Sequence, residues 1–244
     1  MKKLTEALAI IILLFLSTVN VHAYTINDTY WGGTPNHAGW DKDIIGEYSL
    51  FGIDSMDVTR SGNNMTVVIH TPFASAYLAN PNRTYGFAPG DLFISNNGWK
   101  PYGVGPSYIE DTDIFGETWE FGVNASGVYS LVGATINYTN LNGYNPSSWV
   151  YRAGQEWTFV PTGLSLGSAT MAINNFENTI TYNFNITGLS LTGTEVLGFH
   201  WTMQCGNDVI EGAAPVPEPA TMLLLGTGLV GLVGFGRKKF LKRI

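Results

Sequence analysis

The sequence of 244 residues has few of the features that usually identify an enzyme or a nucleic-acid-binding protein. It contains one cysteine, Cys205, so no disulfide can form within the chain, and we expect this thiol to be a small buried hydrophobe. Only 13% of the residues are charged, and 12 basic residues stand against 19 acidic ones. This balance excludes a nucleic-acid-binding function, because neutralising phosphates requires clustered lysine and arginine. An EF-hand loop is also absent.

The few charges are unevenly distributed along the chain. Five of the 12 basic residues and 17 of the 19 acidic residues lie between positions 24 and 214, which gives this part a net charge of about −12. Such a charge keeps a domain soluble and opposes binding to anionic lipid or DNA. The chain is 45% hydrophobic and 13% aromatic, a composition that predicts a folded core rather than disorder.

The N-terminus has the three zones of a secretory signal peptide. Lys2 and Lys3 come first, an apolar run follows at residues 7–16, and Val21-His22-Ala23 then offers small or modest side chains to a signal peptidase. The apolar run is too short for a permanent membrane span. We therefore predict a signal peptide at residues 1–23, with cleavage after Ala23.

The C-terminus combines a proline-rich segment, an apolar run and a basic tail. Residues 215–219 contain three prolines, residues 220–235 carry no charge, and five basic residues crowd into the last eight positions. The apolar run is near the lower limit of about 17 residues for a membrane span, so we predict a transmembrane helix at about 220–236. The basic tail, 237–244, holds the C-terminus in the cytoplasm and leaves the folded middle, 24–214, outside.

These three C-terminal parts resemble, in their order, the PEP-CTERM sorting signal of Gram-negative bacteria. The matching residues are Pro217, Glu218 and Pro219, the apolar helix, and the stop formed by Arg237, Lys238 and Lys239. The resemblance implies processing by an exosortase, a membrane-embedded cysteine transpeptidase of bacteria that make extracellular polysaccharide, with Pro-Glu-Pro as its recognition element. It also implies an inner-membrane precursor and a product at the cell surface or in the extracellular matrix. The alternative is an ordinary C-terminal membrane anchor.

The sequence between residues 24 and 214 predicts a series of short strands. Alternating or β-branched runs separated by Gly and Asn turns, such as Ser61-Gly62-Asn63-Asn64, predict antiparallel hairpins. We predict an all-β domain, an antiparallel β-sandwich or jelly roll, with Asn207-Asp208 turning after the last strand. The predicted strands are 65–70, 91–95, 118–121, 127–132, 134–138, 156–160, 168–173, 179–186 and 196–202.

Carboxylates are densest around Asp111 and Asp113, and these residues are the first candidates for metal binding. Together with loop acids such as Asp43, Asp54 and Asp57, they could supply the oxygen ligands that Ca²⁺ prefers. Solvated loop acids are the simpler interpretation, and we expect no other cofactor.

A catalytic site is not expected. Glu117 and Glu120 flank Trp119, and paired carboxylates beside aromatic rings are typical of glycoside hydrolases. Strand alternation would place the two carboxylates on opposite faces, where they could not flank one glycosidic bond. His70 and His200 stand alone in the sequence, without the spacing of a zinc site.

Aromatic side chains in loops are better candidates for binding. Trp99, Tyr102, Tyr144 and Trp149 lie in Gly-, Pro- and Asn-rich segments, where flat rings either contact the apolar faces of sugars or seal a loop onto the core. The sequence as a whole favours a non-enzymatic surface or matrix protein associated with extracellular polysaccharide. A carbohydrate-binding module is the first alternative, and a secreted glycan hydrolase using Glu117 or Glu120 is the second.

Overall fold

The computed structural model describes residues 23–33, 35, 43–80, 87–112, 114–139, 152–191 and 196–216. All strand pairs within this part of the chain are antiparallel, which confirms the predicted all-β class. No helix within these ranges has the length and hydrophobicity needed to cross a membrane. The predicted signal peptide up to residue 22 and the predicted span at 220–236 lie outside the described residues.

Twelve strands and three short helical segments make up the described fold. The helical segments are α1 (Tyr48–Phe51), α2 (Phe73–Ala79) and a 3₁₀ turn (Thr187–Leu189). The strands in chain order are β1 (Ala23–Asn27), β2 (Ser55–Ser61), β3 (Asn64–His70), β4 (Leu92–Ser95), β5 (Phe121–Asn124), β6 (Gly127–Ser130), β7 (Thr135–Tyr138), β8 (Glu156–Val160), β9 (Ala169–Asn174), β10 (Thr179–Asn185), β11 (Val196–Thr202) and β12 (Val209–Pro215).

Two five-stranded sheets face each other across one core. The first has the order β1-β2-β3-β10-β9 and the second the order β12-β11-β4-β5-β6. Inward side chains of the first sheet, such as Val67 and Tyr182, share a hydrophobic cluster with Ile94 and Trp201 of the second. The Tyr182 hydroxyl donates to the Gly90 carbonyl (2.5 Å) and accepts from the Trp201 indole nitrogen (3.1 Å), so the interface also has a buried polar link.

The second sheet is covered on its outer face as well. A two-stranded ribbon, β7-β8, lies beside a smaller cluster formed by Phe93, Trp119, Leu131 and Phe159. This covering explains why β4 is buried at every position and β11 at every position after Val196. Such strands have continuous hydrophobic runs rather than an alternating pattern.

Most predicted strands are confirmed, and the errors have local causes. The strand predicted at 118–121 is wrong, because β5 begins only at Phe121. Trp119 lies in a loop and packs into the smaller cluster. Asn207-Asp208 does turn the chain, but a further strand, β12, follows it. The predicted turn after β2 is confirmed, with Ser61 paired to Asn64 and Gly62 at a φ of 59°, where an L side chain would be strained.

Candidate functional site

The folded domain runs directly into the predicted sorting segment. β12 ends at Pro215, and Val216 is still buried, with 3% of its surface exposed. The buried Arg60 side chain donates from Nη1 to the Val216 carbonyl (3.1 Å) and from Nε to the Gly62 carbonyl (3.0 Å). The chain is therefore held against the sandwich up to the residue before Pro217.

Most of the residues predicted to direct processing lie outside the part of the chain that the structure describes. Pro217, Glu218, Pro219 and the basic residues Arg237, Lys238 and Lys239 lie outside the described residues. At the other end, Ala23 is the first residue of β1 and pairs with Thr59. Cleavage after Ala23 stays a prediction, and it would leave the remainder of β1 in place.

The loop aromatics divide into two kinds. The Trp99 indole nitrogen donates to the buried carboxylate of Glu211 (2.9 Å), and its ring makes edge contacts with Tyr30 and Tyr108, which suits a loop sealed onto the core. Tyr102, in contrast, is 48% exposed. Tyr144 and Trp149 lie outside the described residues.

Tyr102 belongs to an exposed aromatic pair. Its ring stacks on Phe115, with the ring centroids 5.2 Å apart and the planes at 24°. Phe115 is 53% exposed, and the neighbouring loop residues Val104 and Ile114 are exposed too. We call Tyr102 and Phe115 the aromatic pair, which presents flat apolar surface to solvent.

Asp111 is buried rather than solvated. Its Oδ2 accepts a hydrogen bond from the Tyr30 hydroxyl (3.0 Å), and its backbone carbonyl accepts one from the Gln155 amide (3.1 Å). Burial, with the charge of Glu211, raises the pKa of Asp111 to about 7. Because Asp113 lies outside the described residues, the Ca²⁺ pair predicted for these two residues stays a prediction.

Glu117 and Glu120 both bind the loop that follows β4. Glu117 accepts hydrogen bonds from the Ser95 hydroxyl (3.2 Å) and the Lys100 backbone amide, while Glu120 accepts from the Asn96 backbone amide (3.0 Å) and the Asn97 side chain (2.8 Å). The carboxylates thus hold one loop from two points.

His200 lies in a buried polar chain between the second sheet and β8. Its Nε2–H donates to the Glu156 carbonyl (2.6 Å), and Nδ1 lies 2.7 Å from Oε1 of Glu211, its partner across the strands. Burial alone would lower the pKa of His200, but the hydrogen bond and charge of Glu211 raise it above the ordinary value. Both ring nitrogens face acceptors, which is the arrangement of an imidazolium paired with a carboxylate.

The most unusual group of acids comprises Asp28, Asp43 and Asp208, which we call the aspartate cluster. One carboxylate oxygen from each residue lies within 4.8 Å of those of the other two. Asp28 follows β1, Asp43 precedes α1, and Asp208 precedes β12. Both carboxylate oxygens of Asp28 and Oδ1 of Asp43 are buried and have no hydrogen-bond partner. Buried carboxylate oxygens are costly when no donor or cation faces them.

Hydrogen bonds to the backbone hold the segments that carry Asp43 and Asp208 together. The Ile45 amide donates to the Asn207 carbonyl (2.8 Å), and the Asn207 side-chain amide donates back to the Ile45 carbonyl (2.7 Å). Asp208 is anchored by the Ile53 amide (2.6 Å) and by the amide of its neighbour Val209 (3.0 Å). The loop before α1 is therefore fastened to the turn before β12.

Arg152 contributes one positive charge beside the aspartate cluster. Its terminal nitrogens donate to the backbone carbonyls of Asn207 (3.0 Å) and Asp43 (2.6 Å). Burial lowers the pKa of Arg152, while the three aspartates oppose this shift. Burial and mutual repulsion raise the pKa values of Asp28 and Asp208 well above the ordinary value. One arginine does not neutralise three carboxylates.

Sequence reasoning found only part of these sites. It named Asp43 among the loop acids but neither Asp28 nor Asp208, because these residues come from opposite ends of the chain and meet only through the pairing of the folded domain. No spacing in the sequence signals such a group. The role of Glu211 was likewise missed, although an acid inside an otherwise apolar strand, Val209–Pro215, is a signal for a buried partner.

Comparison with known proteins identifies the C-terminal segment. Residues 215–238 match the family model of the PEP-CTERM protein-sorting motif, which confirms the resemblance read from the sequence. The match covers about a tenth of the chain. No curated protein is similar enough to the chain to count as a match. The motif implies export, a membrane-held precursor and processing by an exosortase.

Proposed function

We propose that this chain is a non-enzymatic protein of the cell surface or extracellular matrix, associated with extracellular polysaccharide and released from the membrane by exosortase processing. The observation that carries the proposal is the sorting motif at residues 215–238, joined without a spacer to an acidic β-sandwich. The Arg60 contact fixes Val216, so the processing segment begins at the surface of the folded domain.

Replacing the recognition tripeptide tests the sorting step. We expect the triple substitution Pro217→Ala, Glu218→Ala and Pro219→Ala to leave an uncut precursor in the inner membrane, because the rigid segment presented to the enzyme is lost. Pro215→Ala is the matched control, since it removes a proline of the same segment but leaves the tripeptide intact. Immunoblots of membrane and extracellular fractions provide the measurement. Normal release of the triple variant would contradict exosortase sorting.

The bonding of the acidic residues supports a non-enzymatic role. In the described structure Glu117 and Glu120 accept hydrogen bonds from one loop, and four donors occupy their oxygens. A hydrolase needs two carboxylates that face one glycosidic bond from either side. Loop support is the role that fits the positions of these two side chains.

The aromatic pair favours binding to polysaccharide. Tyr102 and Phe115 expose flat apolar surface on a loop of an otherwise acidic domain, and neutral sugars offer complementary apolar faces. We expect Tyr102→Ala to weaken retention on the cell's own polysaccharide about tenfold, equivalent to about 1.4 kcal/mol. Affinity electrophoresis of the purified protein gives the measurement. Phe176→Ala is the control, because Phe176 is a 93% exposed ring in the β9–β10 turn. Equal retention of the Tyr102 variant and wild type would exclude this surface.

A further inference from the structure

We propose that Asp28, Asp43 and Asp208 form a Ca²⁺ site that joins the first strand of one sheet to the last strand of the other. The site is independent of the sorting motif and of the aromatic pair. Its basis is the geometry of the aspartate cluster, with one oxygen of each residue within 4.8 Å of the others, and the buried oxygens of Asp28 that lack a hydrogen-bond partner.

The spacing of the oxygens fits the ligand shell of Ca²⁺. Ca²⁺ binds six to eight oxygens at about 2.3–2.6 Å, so two ligands on opposite sides of the ion are separated by about 4.6–5.2 Å. Separations up to 4.8 Å lie within that shell. Asp28 can bind through both oxygens, since neither is engaged elsewhere. Asp208 receives two backbone hydrogen bonds that orient its carboxylate, and each oxygen keeps a further lone pair.

The local charge selects a divalent cation. With all three carboxylates ionised, as ligands of a cation are, the aspartate cluster and the Arg152 guanidinium sum to two negative charges, which a divalent ion neutralises. Zn²⁺ would favour histidine or cysteine ligands, whereas the cluster offers only oxygen. Mg²⁺ usually keeps several waters and takes one or two carboxylates, so three carboxylates favour Ca²⁺.

Such an ion would close the open side of the sandwich. β1 and β12 are edge strands of different sheets, and they pack closely, since a Cβ added to Gly212 would lie 2.5 Å from Cγ2 of Ile26. A Ca²⁺ ion bound at the ends of these strands adds a cross-link in a domain that has no disulfide. It also supports β12, the strand that leads into the sorting segment.

The test measures the thermal stability of the full chain after chelation and after adding back each metal. Affinities of extracellular Ca²⁺ modules, about 10⁻⁴–10⁻³ M, predict a Tm higher by about 3–10 °C at about 10 mM CaCl₂. We expect this rise in wild type and in the control Glu177→Gln, which removes one negative charge from the exposed β9–β10 turn. We expect no rise in Asp28→Asn. In chelator, that variant should melt at or above the wild-type temperature, because one of three mutually repelling carboxylates is gone.

Three results would overturn the proposal. The first is a wild-type Tm that does not change when CaCl₂ is added, and the second is a Tm increase in Asp28→Asn equal to that of wild type. The third is an equal Tm increase with MgCl₂, which would indicate general charge screening. If Asp28→Asn fails to fold, equilibrium dialysis with radioactive Ca²⁺ on wild type and Asp43→Asn decides the question. One bound ion in wild type that is lost in the variant supports the site, and unchanged binding refutes it.

Discussion

Among single residues, His200 shows how burial and pairing set the charge state inside this sandwich. The ring is fully buried, yet Glu211 holds it through a 2.7 Å contact that favours the protonated form. Trp99 donates to the second oxygen of Glu211, so a loop aromatic becomes part of the same buried chain. Cys205 is also buried, as expected, and burial raises the pKa of its thiol to about 12, which keeps it protonated and unreactive.

The His200–Glu211 pair predicts a pH dependence of stability. The folded pKa of His200 lies above its unfolded value of about 6.5, so the pair's contribution is complete below about pH 6.5 and is lost as the pH rises through the folded pKa. Glu211→Gln should lower the free energy of unfolding by roughly 3–5 kcal/mol at pH 6, because it leaves a buried imidazolium without its partner.

Urea denaturation of wild type and Glu211→Gln between pH 5.5 and 9 measures this effect. The difference between the two free energies of unfolding should shrink as the pH rises. A difference that stays constant over this range would show that His200 is neutral in the folded protein and would contradict the assignment.

At the scale of strands, the sequence predicts best where the pattern of burial is simple. β3 and β10 pair in register and place every second side chain in the core, so their alternation identifies them. β2 has a similar pattern, but Arg60 occupies an inward position and hides it. β12 was missed because it carries the buried Glu211 and ends in small residues. The pairing partners of all these strands are set by contacts between distant parts of the chain, and a local sequence pattern does not reveal such contacts.

The end of β12 carries a prediction about the Arg60 contact. Arg60→Met keeps an unbranched side chain of similar reach but removes the donors to the Val216 and Gly62 carbonyls. We expect a loss of about 1–3 kcal/mol in the free energy of unfolding and faster hydrogen exchange at residues 209–216. Exchange mass spectrometry gives the measurement, with Lys100→Met as the control for an exposed cation. Unchanged exchange in this segment would show that Arg60 does not hold the end of the strand.

At the scale of the whole molecule, the three parts of the chain serve one sequence of events. Residues 1–23 are predicted to direct export, the acidic sandwich follows, and the motif at 215–238 implies sorting and processing by an exosortase. The sequence alone was sufficient for the sorting motif, because its parts are contiguous. It was not sufficient for the aspartate cluster, because Asp28 and Asp208 become neighbours only when the two sheets close on each other.

Intact-mass measurement and fractionation of the protein from its native cell test the proposed sorting most directly. We predict a product that lacks about 23 residues at the N-terminus, lacks the basic tail that contains Arg237, Lys238 and Lys239, and is found at the cell surface or in the matrix. A protein that retains its full C-terminus in the inner membrane would contradict exosortase processing and would identify the chain as an ordinary anchored protein.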